Sequence, residues 1–237
     1  MRTGYFNFKH LGNREWLNLF VIGVLCIMSV LPGVYYFIYG YIPKFWLNEN
    51  GLYETVGAMA CFVAGLISLL NFRVLRNKKQ HLDSLWILLF AMGCLLLAGE
   101  EISWGQHFFK YDLPDSVLAA NFQKEFNLHN LKFIQPHNNM LSNIAFKLLA
   151  IYLILLPMFL VVFPTIEKWV RGGGFPIPSM LIAVIALLDQ AMHRINYKII
   201  YSSSNLRSSQ ILEEVSESMF EICLLILAIE YFYLVKK

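Results

Sequence analysis

The sequence predicts an all-α, polytopic membrane protein of about six transmembrane helices, and three observations predict it. Apolar residues make up 57% of the 237 positions and charged ones only 15%, more hydrophobic side chain than one soluble core of this length can bury. The apolar text falls into runs long enough to cross a hydrocarbon core of about 30 Å, which takes about 20 helical residues. Tryptophans mark the ends of those runs, as an aromatic belt requires: Trp16, Trp86 and Trp169 on one side, Trp46 and Trp104 on the other. The spans must be helices, because an open strand cannot satisfy its backbone in lipid.

The elements follow in order. A first span at about 17–42 has too long an apolar run for a signal-peptide core, and no small-residue cleavage site follows it, so retention is expected. Tyr35, Tyr36, Tyr39 and Tyr41 enrich its far end, where the aromatic belt accounts for them. The second span lies at about 52–74, and the third, at about 84–104, ends on two acids. A fourth at about 141–163, a fifth at about 178–200 and a sixth at about 211–235 complete the set. Gly172–Gly174 and Ser202–Ser204 mark loops on opposite sides. The whole of 1–237 reads as one transmembrane helical domain, with 105–140 as an external interfacial or lid segment within it.

Basic residues set the orientation. Arg2, Lys9, Arg14, Arg73, Arg76, Lys78, Lys79, Lys168, Arg171, Lys236 and Lys237 share one side. The other side is poorer, and three of its lysines, Lys110, Lys124 and Lys132, fall in the long 105–140 connection. Both termini are therefore expected in the cytoplasm. Cys26, Cys61, Cys94 and Cys223 lie inside spans without CxxC spacing, which suits buried thiols rather than disulfides or a zinc knuckle. The net charge of +3 comes from helix flanks and gives no reason to expect nucleic acid.

This topology gathers polar groups at one membrane level. The third span delivers Glu100, Glu101 and Gln106 to the outer boundary, the fifth brings Asp189 and His193, and the sixth begins with Glu213, Glu214, Glu217 and Glu221. Asp189 and His193 are four apart, hence on one helix face, as are Glu125 and His129 if their segment is helical. Glu213, Glu217 and Glu221 form a stripe of like charges, which needs a cation, a basic partner or a shared proton. A charge in hydrocarbon costs roughly 2.5–3.5 kcal/mol on insertion scales, so such groups usually have a task. Carboxylates with imidazoles suit zinc, manganese or iron, and bundles build di-metal sites this way. No known metal signature is present. The 105–140 connection is far longer than a median loop and rich in aromatic and aliphatic residues. One or two amphipathic interfacial helices are expected there, the first from Pro114–Ser116 to about Glu125.

GEEISWGQ at 99–106, NFQKEFNLHN at 121–130 and the acidic run from Glu213 resemble a family of bacterial polytopic membrane proteins without an assigned activity. The likeness runs from the third span to the last. Glu100, Glu101, Trp104, Gly105 and Gln106 match its first motif; Glu125, Asn127, His129 and Asn130 match its second. Arginine often follows the glutamine in that family, and here the residue is His107. The resemblance implies where a site lies and leaves its reaction open.

Three functions compete. The first is a metal-dependent hydrolase or transferase acting on a lipid or lipid-linked substrate at the outer leaflet. Its ligands would come from Glu101, His129, Asp189, His193, Glu214, Glu217 and Glu221; Glu100 or Glu125 would be the general base; Gln106 and Asn130 would orient the substrate. The second is a proton- or cation-coupled transporter or channel, favoured if polar groups reach both membrane faces. The third is a structural subunit of a membrane complex, or a homo-oligomer, whose buried charges pair with other helices.

Overall fold

The computed structural model describes residues 12–47, 51–121, 127–128, 131–134, 137–201 and 207–236. The helices are α1 (Gly12–Tyr39), α2 (Lys44–Leu47), α3 (Leu52–Asn77), α4 (His81–Glu101), α5 (Gln106–Phe109) and α6 (Asp115–Ala120). They continue as α7 (Asn138–Ala150), α8 (Leu156–Val162), α9 (Pro164–Gly172), α10 (Met180–Tyr201) and α11 (Arg207–Val235). The six expected spans correspond to α1, α3, α4, the joined α7 and α8, α10 and α11. Among the described residues five segments are long and apolar enough to cross a membrane: Val21–Tyr39, Leu52–Asn77, His81–Glu101, Ile144–Val162 and Leu212–Val235. The chain is a multi-pass membrane protein. α10 is of similar length, 22 residues, with Asp189, Arg194 and Lys198 breaking its apolar text.

Helix breakers inside the spans have identifiable compensation. Pro32 in α1 cannot donate to the carbonyl of Met28, and the Tyr53 hydroxyl donates to that carbonyl instead, at 2.9 Å. Pro157 opens α8, and the stretch before it, Ile151–Leu155, widens into a π-helical turn that accommodates the ring. α1 stops where Gly40 takes a left-handed φ of 71° and donates to the Tyr36 carbonyl.

The bundle is organised around α3. It packs along α4 on one side and along α11 on the other; α10 lies against α11, and α1 against α10. α3 and α11 run parallel, and their contacts keep a nearly constant offset: Cys61 meets Glu221, Asn71 meets the Ala228 carbonyl, and Lys78 meets the Val235 carbonyl. The buried face of α3 steps by three and four residues through Gly57, Cys61, Ala64, Ser68, Asn71 and Leu75. That is the heptad spacing of a left-handed helix pair, and the small residues in it let the backbones approach closely. Leu224, Leu227 and Ala228 of α11 join Cys61 and Ala64 in the main apolar core, with Leu153, Ile182 and Ala186 from the neighbouring helices.

One belt residue differs from expectation. Trp46 is only 8% exposed and packs edge-on against Tyr35 and Tyr53, with Leu212 and Val215 beneath. Folding of α2 back onto α3 and α11 turns it inward, whereas Tyr39 and Tyr41 stay exposed as a belt requires.

Candidate functional site: buried carboxylates at one end of the bundle

The end of the bundle that carries residues 102–134 holds the acids. Glu54 comes from the first turn of α3, Glu101 from the last residue of α4, and Glu214, Glu217 and Glu221 from the first half of α11. Glu101 lies within electrostatic reach of Glu221, Glu217, Glu214 and Glu54. Glu221 is the deepest, 6% exposed. Its carboxylate accepts from the Cys61 thiol at 3.6 Å and fills the notch left by Gly57, where an added Cβ would collide with it. Glu213, the neighbour of Glu214, is exposed. Among the described residues no basic side chain pairs with Glu101, Glu214, Glu217 or Glu221.

Glu100 points elsewhere. Its two oxygens accept from the Trp104 indole at 2.9 Å and from the Leu128 backbone N–H at 2.7 Å. The expected general base thus holds the connection onto α4. Ser103, Trp104 and Gly105 carry left-handed φ values of 46°, 52° and 81°, which reverse the chain at once after Glu101. Trp104 folds over Gly99, where any Cβ would press on the indole. The reversal brings the two sequence motifs into contact: Asn127 donates to the Ser103 hydroxyl at 3.3 Å, and Asn121 donates to the Asn127 carbonyl at 3.1 Å. Asn121 also bridges Leu131, so the connection closes on itself. The expected helix from Pro114 to about Glu125 therefore ends early, at Ala120, because Asn121 is extended and bound across the loop. Gln106 opens α5 and is half-buried. Glu125, His129 and Asn130 lie outside the described residues.

Asp189 and His193 occupy a different seam. Asp189, 3% exposed, accepts from Ser29 of α1 at 2.8 Å and from Ser216 of α11 at 2.5 Å. Gln190 donates to the same Ser216, and Asn196 donates to the Ser29 carbonyl. His193 Nδ1 bonds the Leu212 carbonyl at 2.9 Å. This is a satisfied network joining three helices, and its polar capacity goes into packing. Among the described residues no three of His, Cys, Asp or Glu stand close enough together to hold a metal ion.

No protein-family model matches this chain. Neither does a curated protein or a solved structure. Function therefore rests on the geometry.

Three participants were not singled out from the sequence: Glu54, Ser68 and Asn71. Glu54 sits two residues into a span, where a first-turn acid is ordinary. Ser68 and Asn71, 1% and 0% exposed, are seven and ten residues beyond Cys61 on the same face of α3. Ser68 Oγ and Asn71 Oδ1 are buried without a hydrogen-bond partner among the described residues. Their heptad register with Glu54 and Cys61 is the signal that would have found them.

Proposed function

We propose that this multi-pass membrane protein is a proton- or cation-coupled transporter or channel. Its working groups are Glu54, Glu101, Glu214, Glu217 and Glu221, together with the polar face of α3. The observation that carries this reading is the α3–α11 seam. Acids occupy it at one end, and Ser68 and Asn71 continue it toward the other with unpaired polar atoms. Like charges from three helices do not stay together in hydrocarbon unless protons or a cation neutralise them. Buried polar atoms without a partner are where ordered water or an ion resides in membrane proteins. The resemblance to a bacterial polytopic family and the bias of basic residues support an inner-membrane location with cytoplasmic termini.

Reconstitution into liposomes holding a pH-sensitive dye tests it. Under an imposed pH gradient the wild type is expected to equilibrate faster than protein-free vesicles. Glu221→Gln and Asn71→Leu should each slow the flux by at least about tenfold, the equivalent of ~1.4 kcal/mol at the barrier. Flux equal to empty vesicles, under proton and cation gradients alike, would refute the proposal.

A metal-dependent hydrolase or transferase acting on a lipid or lipid-linked substrate is the second reading, with zinc, manganese or iron as the metal first expected. The observation favouring it is the tie of the connection to the end of α4, from Asn127 to Ser103 and from the Leu128 N–H to Glu100, at the end of the bundle that carries the acids. Among the described residues the donors do not form a metal shell. Near-stoichiometric metal in protein purified without chelator, lost in Glu217→Gln while the fold survives, would select this reading instead.

A further inference from the structure

At the end of the bundle opposite the acids, a groove of about 680 Å³ opens between α9 and the start of α4. One wall is rigid. Trp86 packs edge-on against Phe175 at 5.2 Å, and Phe175 packs against Tyr152 at 5.7 Å. The Tyr152 hydroxyl donates to the Pro176 carbonyl at 2.7 Å, which fixes the segment that carries Phe175. The opposite wall is α9, with Trp169 and Val170 on the groove and Trp169 80% exposed. The base is Gly172 and Gly173, and a Cβ at Gly172 would have nothing within 4 Å.

The charges at this groove are unequal in their commitments. Arg171 is tied to Glu167 at 2.8 Å. Lys168 is the charged residue of the lining and has no ion-pair partner among the described residues. α9 is a short amphipathic helix of nine residues that follows a span, PTIEKWVRG, the pattern of a helix lying in the membrane interface. The volume falls within the range of ligand pockets, about 300–1,000 Å³.

We infer that this groove binds an anionic phospholipid, its headgroup phosphate against Lys168 and its acyl chains along Trp86, Trp169 and Val170. A zwitterionic lipid presents the same phosphate but brings its own cation beside Lys168, and a free anion would leave the aromatic walls without a purpose. The inference stands apart from the transport proposal, because it uses none of the carboxylate residues.

Native mass spectrometry of the full chain in detergent decides it. The protein is given an equimolar mixture of palmitoyl-oleoyl phosphatidylglycerol and phosphatidylcholine. The wild type should retain the glycerol lipid about fivefold over the choline lipid, the ratio that ~1 kcal/mol per basic residue gives. Lys168→Gln should bring the two to parity, and Gly172→Leu, which fills open space, should remove both. Equal retention by the wild type overturns the inference. So does a preference that survives Lys168→Gln, or displacement of the lipid by inorganic phosphate at matched concentration. If Gly172→Leu lowers the thermal midpoint, the pair Lys168→Gln and Lys168→Glu decides the question, with Lys168→Glu expected to invert the preference.

Discussion

Two seams of this bundle bury acids, and they treat them in opposite ways. Between α1, α10 and α11, Asp189 has both oxygens bonded to serine hydroxyls, and the serines have further partners of their own. Between α3, α4 and α11, Glu101 lies within electrostatic reach of Glu54, Glu214, Glu217 and Glu221, and the Cys61 thiol donates to the deepest of them. An acid retained for packing brings its donors with it from neighbouring helices. Glu101, Glu214, Glu217 and Glu221 have no basic partner among the described residues. The difference separates the carboxylates committed to packing from those assigned to the proposed function.

The comparison breaks most visibly at the glycine that admits Glu221. Gly57→Leu would drive a side chain into that carboxylate and onto the Ser218 backbone. About 3 kcal/mol of lost stability is expected, read as a large fall in thermal midpoint in detergent. Gly93→Leu, where an added Cβ meets nothing within 4 Å, should leave the midpoint unchanged. Asp189→Leu comes next: it orphans Ser29 and Ser216 and should cost about 2 kcal/mol. Asp189→Ser, which returns a polar group to the network, should recover part of that loss. Smaller again, Asn127→Ala frees one tie of the connection to Ser103 and should cost about 1 kcal/mol. Limited proteolysis would then cut within 111–134 sooner than in wild type, and an unchanged rate would sever the link between the two motifs. Smallest, and opposite in sign, Glu217→Gln takes one acid out of the group that protons or a cation must otherwise neutralise. A gain of about 0.5 kcal/mol is expected there, alongside lost transport. A fall in stability equal to that of Asp189→Leu would erase the distinction between the seams.

The spans were legible because hydrocarbon thickness imposes its length on the sequence, and α4 and α11 begin and end within a few residues of expectation. The level of the acids followed from the topology. Helix rotation did not. The i,i+4 spacing of Asp189 and His193 states that they share a face of α10, but which neighbour that face meets depends on packing in three dimensions. It meets Ser29, Ser216 and the Leu212 carbonyl. The role of Glu100 was hidden for a related reason. Three consecutive left-handed residues after Glu101 cannot be read from Ser-Trp-Gly, and they bring Trp104 and Leu128 onto Glu100.

The parallel α3–α11 pair also has a consequence for how the protein is made. Lys78 and Val235, side by side in the finished seam, are separated by 157 residues of chain. During synthesis α3 enters the bilayer long before its partner exists. Its stripe of Glu54, Ser68 and Asn71 must meanwhile be sheltered by the insertion machinery or by α4. A ribosome that stalls before α11 emerges leaves that stripe without its partner helix in the bilayer, where unpaired polar groups cost most.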